Sequence, residues 1–201
     1  MKPALGAIGF IALAAAGATA LATEVAQVAR ISGTPTVTRG SAPQPLHRGD
    51  SVAVGEIVET DAVSKVKILL ADDSVLDVGP QSRVRLDTFA LASDRRNARL
   101  DILVGKFKLA VSKFLTGPTD YEIRTPTTIA GVRGTVLWGD TDRDVICALD
   151  GTIDAAARSG DTTPKRLAAG ECVNQMKAGK TTPLKPTAAE VAAYLKEVTI
   201  E

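Results

Sequence analysis

Few side chains in this sequence could do chemistry, and their spacing limits what they can do. Cysteine occurs twice, at Cys147 and Cys172, far from the Cys-x-x-Cys spacing of a redox or zinc site. Both sit in apolar, strand-like settings, Val145-Ile146-Cys147-Ala148-Leu149 and Gly170-Glu171-Cys172-Val173. In an oxidising compartment an even cysteine count pairs, so a Cys147–Cys172 bridge is expected; the alternative is two buried thiols on opposite faces. Such a bridge is worth about 3 kcal/mol in the chain-entropy model. The single histidine, His47, lies beside Arg48 in a turn-like stretch with no nameable partner, so it reads as a surface or hydrogen-bonded residue. Asp140, Asp142 and Asp144 alternate, but an EF-hand loop needs glycine and glutamate where Val145 and Gly151 stand. The plain reading is three aspartates on one solvated strand edge. No Gly-x-Ser-x-Gly elbow is present. The sequence therefore assigns no catalytic residue, no cofactor site and no metal site.

Charge and composition narrow the partners. The 201 residues carry 24 Lys plus Arg against 23 Asp plus Glu, a net charge of +1. That balance supplies no field to displace the counterions of a nucleic acid. Aromatics make up 3%, too few for stacking platforms on bases or sugars. Arg95, Arg96 and Arg99 read as a small solvated basic tip, and the lone Trp138 as core packing rather than a ligand platform.

The elements that hold these residues are short strands. Residues 1–22 stand apart: Lys2 gives the one charge, an Ala-, Leu- and Ile-rich run follows, and Ala20-Leu21-Ala22 offers small residues to a signal peptidase. The segment reads as a secretory signal peptide with Thr23 as the mature start. An N-terminal anchor is the competing reading, for a run barely long enough to span a bilayer. No later apolar run reaches membrane length, so no stable insertion is expected after cleavage. Periplasmic residence follows, with secretion as the alternative. From Val25 to about 177, Val66, Ile68 and Leu70 alternate with Lys65, Lys67 and Leu69, Val84 and Leu86 with Arg83, Arg85 and Asp87, and Phe107, Leu109 and Val111 with Lys106, Lys108 and Ala110. Asp72-Asp73 and Asp150-Gly151 mark hairpin tips. Ile31-Ser32-Gly33, Leu103-Val104-Gly105 and Leu149-Asp150-Gly151 echo one another, as do Leu46 to Asp50 and Leu167 to Glu171. Unequal spacing rules out a fixed-period repeat but suggests stacked strand-turn-strand units. The expected fold is all-β, with stacked short strands and hairpins in the manner of a β-solenoid or β-roll. Residues 23–180 form that domain, and 181–201 a Pro-containing linker with a C-terminal helix. Thr187 to Glu190 forms a capping box, and Val191, Tyr194, Leu195 and Val198 share one helical face. That face either packs on its own β module or docks on a partner.

One stretch is distinctive. Thr125-Pro126 stops a strand, and Gly131 and Gly134 flank Val132-Arg133 before Thr135, allowing a tight turn and a close approach. Arg133 reads as an arginine that satisfies carbonyls of its own turn. The run Ile123-Arg124-Thr125-Pro126 followed by Ala130-Gly131-Val132-Arg133-Gly134-Thr135 resembles the hallmark of the FecR domain family. Gly49-Asp50, Gly55-Glu56 and Glu56-Ile57-Val58-Glu59-Thr60 resemble that family's early segment, and Asp72-Asp73-Ser74 resembles its Asp-Gly-Ser turn with Asp73 in place of glycine. The resemblance runs from roughly Leu46 to Ala157. It implies a non-enzymatic envelope module that works by protein–protein interaction in sensing or signal regulation. Members with the full architecture join a cytoplasmic anti-sigma segment and one membrane span to this domain. The signal peptide makes a stand-alone periplasmic FecR-like protein the expectation here, with other envelope proteins as partners. A structural or carbohydrate-binding envelope protein is the alternative.

Overall fold

The computed structural model describes residues 24–113, 117–174 and 178–200; the segment read as a signal peptide lies outside them. In chain order the strands are β1 (Glu24–Ser32), β2 (Thr36–Arg39), β3 (Ala42–Pro45), β4 (Ser51–Ala53), β5 (Ile57–Glu59), β6 (Lys65–Leu70), β7 (Val75–Val78), β8 (Arg83–Leu91) and β9 (Arg96–Val104). They continue with β10 (Lys106–Ala110), β11 (Thr119–Arg124), β12 (Thr128–Val132), β13 (Val136–Asp140), β14 (Val145–Asp150), β15 (Thr152–Ala157), β16 (Lys165–Ala168), β17 (Cys172–Asn174) and β18 (Thr182–Leu184). One helix, α1 (Ala188–Val198), follows. The fold is all-β with a short C-terminal helix.

The strands form two nine-stranded sheets. Sheet I runs β4-β1-β6-β7-β10-β13-β14-β17-β18 and sheet II runs β3-β2-β5-β8-β9-β11-β12-β15-β16. Beyond the first few strands both orders follow the sequence, so the chain advances from one end of the molecule to the other. It lays down one or two strands in a sheet and then crosses. The stacked units expected from the sequence are thus present as antiparallel hairpins; the described pairings include one parallel pair, β9 with β11. The strand β18 falls in the stretch read as a linker and pairs with β17.

Alternation explains the core. Val66, Ile68 and Leu70 of β6, Val84 and Leu86 of β8, and Phe107 and Leu109 of β10 are buried in one continuous cluster fed by both sheets. Each such side chain contributes about 1.5–3 kcal/mol by leaving water. Their alternate neighbours stand on the two outer faces.

The glycine echoes are the crossings between sheets. Gly33 joins β1 to β2, Gly105 joins β9 to β10, and Gly151 joins β14 to β15, at φ of 80°, 99° and 70°. At the first two, the next backbone N–H donates to a serine Oγ: Thr34 to Ser64 at 2.8 Å and Lys106 to Ser82 at 2.9 Å. The other echo is a second kind of corner. The carboxylates of Asp50, Glu56 and Glu171 each accept the backbone N–H three residues back, on His47, Ala53 and Ala168, at 2.8, 3.0 and 2.9 Å. The glycine before each acid has positive φ, a conformation that L side chains adopt only under strain. Asp73 also sits at positive φ, 64°, in the hairpin position where the family pattern carries glycine.

These contacts separate glycines that the fold needs from one that it does not. A Cβ on Gly105 would lie 2.1 Å from Ser82 Oγ and 2.5 Å from Ser82 Cα. A Cβ on Gly131 would meet only Asp154 O, at 3.9 Å, and its φ is ordinary. Gly105→Ala is therefore expected to cost about 3 kcal/mol, through positive-φ strain and overpacking. Gly131→Ala is expected to cost less than about 1 kcal/mol. Urea midpoints of the two variants check the contrast.

Candidate interaction surfaces

The distinctive stretch spans β11, β12 and the start of β13, and its residues divide by role. Thr125 is buried and shapes the β11–β12 turn: its Oγ1 accepts the backbone N–H of Thr127 and Thr128 at 3.2 and 2.9 Å. Pro126 sits exposed at the turn. Val132 and Thr135 are buried, and Thr135 O accepts Val111 N–H at 2.8 Å. Gly134 turns the corner at φ 59°, with Lys113 packed against it. Gly131 is not at the turn but inside β12, exposed on the outer face between Glu122 and Asp154. Arg133 departs from the sequence reading. It is exposed, and among the described residues no hydrogen bond or ion pair of its side chain is seen.

No helix of the described residues covers the outer face of sheet II, and that face is a checkerboard of charge. Arg83 pairs with Glu59 at 3.2 Å. Asp101, Arg85, Asp87, Arg99, Glu122 and Arg124 form a continuous chain across β8, β9 and β11. Its measured links are Arg85–Asp87 at 3.2 Å, Arg99–Asp87 at 3.5 Å and Arg99–Glu122 at 3.7 Å. Arg166 grips Asp154 through two hydrogen bonds, at 3.0 and 3.1 Å, and holds that carboxyl below its usual range. These pairs are half-exposed and contribute little stability each. Together they keep an extended sheet face polar.

The outer face of sheet I is partly roofed by α1. Thr187 caps the helix in the capping box read from the sequence, donating and accepting with Glu190. Tyr194 stacks on Trp138 with ring centroids 4.3 Å apart and planes 6° from parallel, and Val198 is fully buried. Val191 and Leu195, on the same helical face, are half-buried. Beneath the helix lies a small second cluster of Trp138, Val145, Cys147 and Cys172. Cys147 and Cys172 are cross-strand partners on β14 and β17 and form the disulfide, with Cα atoms 4.0 Å apart. Trp138 is thus buried as expected, but under the helix rather than between the sheets. Charges clamp the C-terminal end of the helix. Glu197 accepts two hydrogen bonds from Arg143, at 3.1 and 2.8 Å, and pairs with Lys106 at 2.8 Å. Lys65 Nζ donates to the terminal carbonyls of Lys196 and Thr199, where the helix dipole is negative.

The Glu197 clamp gives a pH dependence. Hydrogen bonding from Arg143, then from Lys106, holds the carboxyl below its ordinary value of 4.5. A depressed folded-state acid stabilises fully above its unfolded value, and that contribution is lost as pH falls through the lower folded value. Helix docking therefore weakens below about pH 4.5. The emission of the only tryptophan, Trp138, reads this directly. Wild type is expected to red-shift on acidification, and Glu197→Gln to lose about 1 kcal/mol at neutral pH and most of the acid transition. Superimposable profiles would show that the clamp does not hold the helix.

Two polar readings are corrected by burial. The basic tip is not all solvated: Arg96 and Asp72 side chains are 0% and 1% exposed and pair at 2.8 Å. Arg96 also donates to Ser112 O and Oγ at 3.0 and 2.9 Å and lies 5.1 Å over the Tyr121 ring. Burial pushes the Tyr121 hydroxyl far up from its ordinary value, so it stays protonated. Asp140, Asp142 and Asp144 do not line a solvated edge. Asp140 ends β13 buried, its Oδ1 accepting the N–H of Asp142 and Arg143 at 2.8 and 3.1 Å, and Asp144 is buried with φ 54°. Among the described residues no three His, Cys, Asp or Glu side chains converge as a metal site. His47 is 74% exposed and lies 3.5 Å from Asp50.

Two crossed-over sheets, a helix clamped on one face and an open charged face define an all-β domain without a visible reaction centre among the described residues. Residues 56–154 match the family model described as FecR protein, so the chain carries a FecR domain over that span. No curated protein matches the chain. Two crystal structures of a candidate anti-sigma factor from Parabacteroides distasonis share the fold, each with a TM-score of 0.54 over 69% of this chain. They are 16% and 18% identical to it, and the match spans 64% and 63% of their own length, just under two thirds. No helix of the described residues is long and apolar enough to cross a membrane. The matched family is regulatory rather than enzymatic, and its association is with signalling at the envelope.

Proposed function

We propose that this chain is a non-enzymatic FecR-like protein of the periplasm that regulates envelope signalling by binding another protein. The observation that supports the reading best is the open outer face of sheet II. It carries Gly131, and Arg133 stands exposed in the bend just beyond β12. A bare backbone beside an unpaired guanidinium suits contact with a partner better than it suits packing. Residues 1–22 direct export and are removed, leaving Thr23 as the mature N-terminus, which intact mass measurement of the periplasmic fraction tests.

Strand addition at a sheet edge is the less suitable docking mode. The edge strand β3 carries Pro43 and Pro45, β18 carries Pro183, and β16 presents Lys165 and Arg166. Proline and charge at an edge oppose pairing with a further strand. The face of α1 that could dock on a partner is turned to sheet I, so a partner there would first have to displace Tyr194 from Trp138. The immobilised chain is expected to retain protein from a membrane-protein extract and nothing from cell-wall polymer. Retention of the polymer alone would favour a structural or carbohydrate-binding role.

A further inference from the structure

At one end of the sheet II face the charge ladder opens into a pocket of about 290 Å³, lined by Arg85, Arg124, Arg158, Asp101, Leu103 and Pro126 among others. Its origin is topological. The parallel ladder of β9 and β11 ends at the pair Asp101–Arg124. Thr125-Pro126 then turns the chain away, and proline offers no N–H to prolong the ladder. The gap beyond the last pair is floored by Leu103 and Pro126 and rimmed by guanidinium groups from three strands or their ends.

The rim holds one guanidinium with no described carboxylate partner. Arg85 and Arg124 are paired to Asp101, Asp87 and Glu122 within the ladder. Arg158 adds a third positive group whose described partner is a carbonyl, Thr125 O at 3.1 Å, and not a carboxylate. Of the three, Arg158 alone is without a described carboxylate, and each fork of five N–H donors retains donors beyond those bonds. Guanidinium forks match carboxylates with two parallel hydrogen bonds, and an apolar floor favours an aliphatic stem below the charge.

We infer that the Arg85–Arg124–Arg158 pocket is the anchor point for an acidic segment of the partner protein, receiving a glutamate or aspartate side chain. The inference rests on the protein-binding reading above and specifies the chemistry of the partner. The side chain's carboxylate bridges Arg124 and Arg158, and its methylenes lie on Leu103 and Pro126. Because the anchor is electrostatic, binding weakens as salt rises.

The test titrates the isotope-labelled chain with a capped peptide of alternating glutamates, with its glutamine isostere and with inorganic phosphate, following the arginine Nε–H and backbone amide signals. Saturable shifts are expected at Arg124, Arg158 and Thr125 with the glutamate peptide and not with its isostere. The Arg124→Gln/Arg158→Gln pair should weaken binding at least about tenfold, since both partners of a charge-assisted contact are lost. Arg133→Gln, in the bend beyond β12 and outside the pocket lining, should leave affinity for this peptide unchanged. Affinity unaltered in the double variant overturns the inference, as do shifts spread evenly over all surface cations. Phosphate that fills the pocket and displaces the peptide would make this a general oxyanion site, which also overturns it. If the double variant still crosslinks to an envelope protein from position 133, this pocket is wrong while the protein-binding reading stands.

Discussion

Arg96→Met is expected to lower the free energy of unfolding by about 3–5 kcal/mol, the usual cost of leaving one member of a buried ion pair without the other. The pair is wholly inside: both side chains are at most 1% exposed. Asp72 would keep the N–H and Oγ of Ser74, at 3.1 and 2.8 Å, but lose its only described cationic partner. Ser112 would lose a charged donor at the same time. Replacing both members, Arg96→Met with Asp72→Asn, should recover part of the loss, because no uncompensated charge stays buried. Urea unfolding followed by circular dichroism measures both. A single-variant loss below about 1 kcal/mol would mean that the pair is not buried as described. The cluster joins the β6–β7 tip of sheet I to the start of β9 in sheet II, so the two sheets should loosen together.

The second large effect comes from the disulfide. Cys147→Ala with Cys172→Ala should cost about 3 kcal/mol, as expected for a bridge closing a loop of this length. The residues are 25 apart in sequence, and the bond ties β14 to β17 at the end of sheet I. It also lies in the cluster that α1 covers, so the paired variant should shift the Trp138 emission toward that of exposed indole. Equal denaturation midpoints for the oxidised chain and the paired variant would contradict this assignment. Both cysteines are buried, so reductant should act on the native protein only as fast as the helix and the sheet end open.

How much was legible follows from how local each signal is. The alternation of β6, β8 and β10 lies within the strands themselves and reads directly as two faces. The glycine corners were visible as echoes because each is completed by residues close in sequence, such as Asp50 with His47 or Glu171 with Ala168. The disulfide could be read from the cysteine count and the oxidising compartment expected of an exported chain. Arg96 could not be read correctly, since its counter-charge is 24 residues away on another sheet. A cluster of three arginines gives no sign that one of them turns inward. The Asp140–Asp144 series looked like a strand because alternation was the only visible pattern, whereas the turn over residues 141–144, the positive φ of Asp144 and the buried Asp140 make it a corner. Helical periodicity identified the apolar face of α1 but not its target; only the Trp138–Tyr194 stack and the Glu197 clamp place it on sheet I. The alternation of Arg85, Asp101, Glu122 and Arg124 was equally invisible as a ladder, because it arises from the register of three strands.

The FecR match supports the proposed role in envelope signalling, and the contact proposed for it is the open outer face of sheet II. The most direct measurement places a photo-crosslinking residue at Arg133, exposed in the bend at the end of β12, and in parallel at Val63, which is 73% exposed in the segment between β5 and β6. In intact cells the account predicts a discrete protein adduct from position 133 and none above background from position 63. Equal adducts from both positions, or adducts only to glycan, would contradict it.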